Sequence, residues 1–149
     1  MSADKTVTSE NDNDSKQNTQ RKRILVIEDE KDIAEAIKSA LKSSYRIDNG
    51  GTGFQAIRSY KPRFYDLILL DYRMPNMDGS EFYQEIKKID PNVKVCFITA
   101  YEEYHTKIMN KKWQINQDSI FQDGTELPVL KKPFDTETLK AMVSQLIGE

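Results

Sequence analysis

The stretch that most limits what this chain can fold into runs from Phe64 to Gly79, Phe-Tyr-Asp-Leu-Ile-Leu-Leu-Asp-Tyr-Arg-Met-Pro-Asn-Met-Asp-Gly. Four consecutive apolar residues, Leu67 to Leu70, show no alternation, which is the pattern of a short strand buried on both faces. Such strands occupy the middle of parallel sheets that helices cover. Asp71 follows at once, and Pro75 and Asp78-Gly79 then turn the chain. Asp71 is therefore expected at the carboxyl edge of a sheet, where open α/β sheets bind ligands. A single aspartate after a strand is no more than a loop cap unless other strand ends bring matching chemistry.

Three other strand ends do. Ile24-Leu25-Val26-Ile27 is a second buried run, beginning after Arg23 and ending in Glu28-Asp29-Glu30. Asp32 is expected to cap a helix with Ile33, Ile37, Ala40 and Leu41 on one stripe. Tyr45-Arg46-Ile47 reads as a weak strand near a sheet edge. Gly50-Gly51-Thr52-Gly53 turns into a short helix carrying Phe54, Ile57 and Tyr60, stopped by Pro62. After the central strand, Ser80 is expected to cap a helix with Phe82, Ile86 and Ile89 inward, closed by Asp90-Pro91-Asn92. Val93 to Ile98 forms the fourth strand and runs into Thr99-Ala100.

Residues 101–113 read as a helix with Tyr104, Ile108 and Trp113 inward. The polar segment 114–126 holds an Asp123-Gly124 turn, with Ile120-Phe121 and Leu127–Leu130 as candidate hairpin arms. Val129-Leu130 ends the fifth strand of the main sheet and leads into Lys131-Lys132-Pro133-Phe134. Asp135 or Thr136 caps a last helix with Leu139, Met142, Val143, Leu146 and Ile147 on one stripe. Strand and helix alternate five times, which predicts an α/β fold, a doubly wound five-stranded parallel sheet with helices on both faces.

Composition removes several function classes. The chain has 149 residues, room for one domain of ordinary size, and a formal net charge of −2 that gives no basic surplus for direct nucleic-acid binding. The single Cys96 makes no internal disulfide, and the single His105 excludes a histidine-rich metal site. No apolar run reaches the length of a membrane span and no signal-peptide core is present, so no membrane partner and a cytoplasmic location are expected. Residues 1–22 contain only Met1, Ala3 and Val7 as apolar residues, and their acids and bases cancel, so they are expected to be a disordered polar tail ahead of a domain over 23–149. With no further sequence after Glu149, output is expected to pass through another protein.

Only parallel strands place Glu28-Asp29, Asp71, Thr99 and Lys132 on one edge. Clustered carboxylates repel unless a cation lies among them, and an all-oxygen set suits Mg²⁺. Lys132 adds a fixed positive charge and Thr99 a hydroxyl donor for an anion beside the metal. A carboxylate nucleophile, a divalent cation, a lysine and a hydroxyl are the parts needed for phosphoryl transfer onto Asp71.

Ile-Glu-Asp-Glu after the first strand, Leu-Asp-Tyr-Arg-Met-Pro-Asn-Met-Asp-Gly after the third, Ile-Thr-Ala after the fourth and Lys-Lys-Pro-Phe after the fifth together resemble a response-regulator receiver domain. The likeness spans about residues 23–149 and implies a flavodoxin-like strand order of 2-1-3-4-5. It implies that Asp71 is the phospho-acceptor and that Lys132 and Thr99 bind phosphoryl oxygens. It also implies that Asp29 and Asp71 bind Mg²⁺ directly, Arg73 through its backbone carbonyl and Glu28 through water. The Lys132–Pro133 bond is expected to be cis on the same ground.

The implied partners are a sensor histidine kinase or phosphotransfer protein and an unidentified downstream protein. The implied chemistry is confined to the chain's own phosphorylation and dephosphorylation, with relay of the phosphate or a never-phosphorylated interaction module as alternatives. Arg73 and Tyr101 flank the site and are expected to shield the phosphate from water. An aspartyl-nucleophile phosphatase usually carries a second Asp two residues on, where this chain has Arg73.

Two departures from the family pattern stand out. Val129 occupies a place that usually holds Tyr or Phe. Thirty-three positions separate Thr99 from Lys132, longer than is usual in the family by roughly ten residues. The segment 101–126 is therefore enlarged, either as a partner surface or as a tolerated insertion. Gly51-Thr52-Gly53-Phe54-Gln55-Ala56 also fits a dinucleotide-binding pattern, but its place after a weak second strand favours a plain turn into a helix.

Overall fold

The computed structural model describes residues 21–100, 113–115 and 119–148. Five strands, β1 (Arg23–Ile27), β2 (Arg46–Asn49), β3 (Leu67–Asp71), β4 (Lys94–Ala100) and β8 (Val129–Lys132), form one parallel sheet in the order β2-β1-β3-β4-β8. This is the expected doubly wound arrangement, with β8 as its fifth member. Between β4 and β8 the chain forms a second, antiparallel sheet from β5 (Trp113–Ile115), β6 (Ile120–Gln122) and β7 (Thr125–Leu127). The Asp123-Gly124 turn joins β6 and β7, with both residues at positive φ, 52° and 80°.

The sheet separates two apolar layers, as strict alternation along buried strands requires. Ile68, Leu70, Val95 and Phe97 face one way with Tyr60, Phe82, Ile86, Trp113 and Ile120. Leu67, Leu69, Cys96 and Ile98 face the other with Ile37, Leu41, Leu139 and Val143. The helices supplying these faces are α1 (Lys31–Leu41), α2 (Gly53–Ser59), α3 (Gly79–Ile89) and α4 (Thr136–Ile147).

Helix starts differ from the sequence expectation in two places. Asp78 and not Ser80 caps α3: its carboxylate accepts from Glu81 N–H while Glu81 reaches back to Asp78 N–H. That reciprocal pair satisfies two free N–H groups at once, which a cap at Ser80 would not. Glu30 and not Asp32 is the N-cap of α1 and makes no side-chain cap, while Asp32 lies in the first turn where its charge opposes the helix dipole. Asp135 caps α4 as expected, through Thr138 N–H.

Ile89, expected inside, is on the surface, and Phe54 is exposed as well. Ile89 is the last residue of α3, and the chain turns away there into the buried Asp90. Trp113 is buried as expected but begins a strand instead of ending a helix. Residues 101–112 of the helix expected over 101–113, with Tyr101 and His105, and residues 1–20 of the expected tail lie outside the described residues. Among the described residues no helix is long and apolar enough to cross a membrane.

Candidate functional site

Parallel register sets the geometry of the carboxyl edge. Ile27 pairs with Leu70, so Glu28-Asp29 and Asp71 leave neighbouring strands side by side. Asp71 pairs with Ile98, the residue before Thr99, and Ala100 pairs with Lys132. One carboxylate oxygen from each of Glu28, Asp29 and Asp71 falls within 4.8 Å of the others. Asp29 and Asp71 open onto a cleft of about 370 Å³ that Glu30, Arg73, Met74 and Pro75 also line.

Lys132 is drawn into this cluster. Its Nζ lies 3.2 Å from Glu28 Oε1, 3.5 Å from Glu30 Oε1 and 3.8 Å from Asp71 Oδ1. Glu28 is pinned from its other oxygen, which accepts the Glu30 backbone N–H at 3.1 Å. The Arg73 N–H donates to Asp71 Oδ1 at 3.3 Å. The Lys132–Pro133 bond is cis, as expected. Burial lowers the Lys132 ammonium, but Asp71, Glu28 and Glu30 together outweigh that and hold it above its ordinary value.

Asp71 is 2% exposed, and its carboxyl is pushed up to about 9. Burial is the main cause; a hydrogen bond with Asp29 and the charge of Glu28 add to it, and Lys132 works the other way without offsetting them. A buried acid cluster that prefers a proton in the absence of further positive charge is the electrostatic signature of a cation site. The donor set, oxygen only and in excess of the local positive charge, fits a hard divalent ion such as Mg²⁺.

Thr99 supplies the other half of the arrangement. Its hydroxyl is fully buried and has no hydrogen-bond partner among the described residues. A buried hydroxyl left unpaired costs about 1–3 kcal/mol, so it is poised to gain from an oxygen atom placed before it.

All six residues expected at the site lie at this edge: Glu28, Asp29, Asp71, Arg73, Thr99 and Lys132. Sequence reasoning assigned nothing to Glu30, although it pairs with Lys132 and fixes Glu28; its place directly after the acidic pair was the available signal. The Gly51–Gly53 segment is the turn into a helix that its place in the chain favoured. It enters α2, a seven-residue helix closed by a Thr52–Gln55 capping box. That turn lines a second cleft of about 260 Å³ reaching Glu28 and Asp29.

Comparison with known proteins agrees with this geometry. The sequence model of the response regulator receiver domain matches residues 24–144. The chain is 30% identical over 127 residues to the response regulator receiver protein CpdR of Brucella abortus (strain 2308), covering 85% of this chain and 97% of that protein. Against transcriptional regulatory proteins named ZraR, from Klebsiella oxytoca and Escherichia coli O157:H7, it spans only 26% of their length. Among solved structures it is similar to a chain from the complex of histidine kinase ThkA with response regulator protein TrrA, with 31% identity and a TM-score of 0.64 over 84% of this chain and 97% of that one. The receiver domain of a sensor histidine kinase from Pseudomonas aeruginosa PAO1, solved with magnesium coordinated in its active-site cleft, gives 25% identity and a TM-score of 0.65 over 87% and 99% of the two chains.

Proposed function

The chain belongs to the response regulator receiver domain family, and from that membership we propose that it is a phospho-accepting switch. Asp71 takes a phosphoryl group from a phosphohistidine of a sensor histidine kinase or phosphotransfer protein, and the modified chain changes its binding to a downstream protein. One juxtaposition carries the reading: a buried carboxylate and a half-buried lysine on one sheet edge, with a buried hydroxyl that has no hydrogen-bond partner among the described residues.

In the transfer, an Asp71 carboxylate oxygen attacks phosphorus as the nitrogen–phosphorus bond breaks, and the departing imidazole takes a proton from water. Bound Mg²⁺ would neutralise the clustered carboxylates and the phosphoryl oxygens. Asp29 and Asp71 would hold it directly with the Arg73 carbonyl, and Glu28 through water. Lys132 is already 3.8 Å from Asp71 and needs only a side-chain rotation to meet a phosphoryl oxygen. Thr99 would donate its hydroxyl to another oxygen and so gain the partner it lacks. Later attack by water on the acyl phosphate restores Asp71, and the exposed Arg73 beside the cleft would slow that attack.

The test is incubation with acetyl phosphate and Mg²⁺ followed by intact mass. A single labile phosphoryl group should appear on the chain and be absent from Asp71→Asn. No addition would mean a pure interaction module, and donor turnover without retained phosphate would mean a phosphatase.

A further inference from the structure

The second sheet is anchored on the main sheet by an indole. Trp113 is 0% exposed, the largest fully buried side chain described, and Ile120 is equally buried beside it. The Trp113 ring meets Tyr83 at 5.4 Å and Phe97 at 6.0 Å, both edge-to-face. Phe97 in turn meets Tyr72 and Tyr83, each at 5.8 Å. Tyr72 is the residue after Asp71. Phe97 is two residues before Thr99 on β4, so the two side chains stand on the same face of the strand.

Asp71, which would take the phosphoryl group, and Thr99, which would bind one of its oxygens, are therefore linked through Tyr72 and Phe97, and Phe97 packs on the Trp113 indole. On the opposite flank those rings have no slack. Gly79 N–H donates to the Tyr72 carbonyl at 2.6 Å, and a Cβ at Gly79 would lie 2.8 Å from Tyr72 Cα and 3.0 Å from Phe97 Cε1. Interiors packed to this density pass displacements on instead of absorbing them. With Gly79 closed to it, Phe97 passes a displacement on to the rings it meets, the Trp113 indole among them.

We propose that Trp113 is a positioning residue that couples the Asp71–Thr99 site to the β5–β6–β7 sheet, making that sheet the output element. The proposal rests on the phospho-accepting reading above. A phosphoryl group engaging the Thr99 hydroxyl draws the end of β4 towards Asp71, Phe97 repacks on the indole, and β5 to β7 re-seat as a unit through their shared ladder. The direct contact of Val129 with Phe97's register position leaves β8 with an aliphatic side chain there, so the aromatic route out of the site runs through the second sheet. Coupling is reciprocal: whatever phosphorylation does to the packing of Trp113, a change at Trp113 does to the affinity of the site.

Trp113 is the chain's single tryptophan, so its emission reports on this contact alone. The full chain, in excess Mg²⁺, is titrated with beryllofluoride, a stand-in for the phosphoryl group, and binding is followed independently by calorimetry. Emission should change saturably with the calorimetric midpoint, and amide exchange over 120–127 should change with it. Trp113→Phe, its fold checked by a urea melt, should shift the apparent beryllofluoride affinity by about fivefold or more. Should that variant not fold, wild-type emission and exchange decide the matter. Beryllofluoride binding with unchanged emission and unchanged exchange over 120–127 overturns the proposal and leaves the phospho-accepting reading intact. Absence of both beryllofluoride binding and phosphate uptake from acetyl phosphate instead removes that reading, and this proposal with it.

Discussion

Asp71→Asn should make the metal-free protein more stable. The amide keeps the shape of the carboxyl but has no proton to bind, whereas Asp71 titrates near 9 in the folded chain and near its ordinary value of about 3.9 when unfolded. A raised folded value contributes stability that is complete at low pH and is lost as pH rises towards the folded value. At pH 7 the unfolded aspartate is ionised, and folding has to return its proton at a cost of up to about 4 kcal/mol. Coulomb's law gives the same scale: two like charges 4.8 Å apart repel by about 3.5 kcal/mol at an effective dielectric constant of about 20. Relaxation of the exposed Asp29 and of Glu30 takes up part of this, so the expected gain is about 2 kcal/mol, or about 6 °C in Tm.

The assay is a set of urea melts in EDTA between about pH 5 and about pH 8. Wild-type stability, relative to the variant, should fall with rising pH by up to about 1.4 kcal/mol per pH unit. Added Mg²⁺ should stabilise the wild type more than the variant. Parallel pH profiles, with the variant equal to or below wild type at pH 7, would show that Asp71 is under no electrostatic stress and refute the reasoning.

Asp29→Ala should weaken Mg²⁺ binding more than Glu28→Ala, because Glu28 is already committed to Lys132 and to the Glu30 N–H; calorimetry giving equal losses would remove that distinction. Binding of Mg²⁺ to wild type should also weaken as pH falls, since protons compete for the same oxygens. Gly79→Ala should cost about 1–3 kcal/mol in urea melts, as its Cβ meets the Tyr72 backbone at 2.8 Å; an unchanged midpoint would mean that α3 shifts freely. Tyr60→Phe should cost about 1–2 kcal/mol by leaving the buried Asp90 carboxylate without its 2.7 Å hydroxyl donor, and a neutral result would show that Arg63 N–H suffices.

The central strands were plain in the sequence because a strand buried on both faces has to be apolar at every position, and Ile24–Ile27, Leu67–Leu70 and Val95–Ile98 are. The convergence of Glu28, Asp29, Asp71, Thr99 and Lys132 at one edge followed from parallel pairing, while the strand order followed from the family resemblance. Short-range hydrogen bonding was harder to read. Ser80 and Asp78 are both good caps, and only the partner at Glu81 decides between them. β5 escaped because three residues are too few to show a period, and an isolated tryptophan is equally at home in a helix or a strand. The Glu30–Lys132 pair was harder to read: the place of Glu30 after the acidic pair pointed to the edge, but its partner depends on how the chain leaves β1.

β4 and β8 are parallel neighbours, so the chain leaves the main sheet at Ala100, opposite Lys132, and rejoins it at Val129, opposite Phe97. An insert between two such points can grow or shrink at small entropic cost, since loop closure depends only weakly on length. For this chain the limit on interchange is therefore steric and not topological. The antiparallel element could be grafted onto a host of the same fold only if that host carried a hollow the size of an indole between two rings, as Tyr83 and Phe97 provide. Removing the same element from its own setting would bare those two rings to water and leave a sticky surface behind.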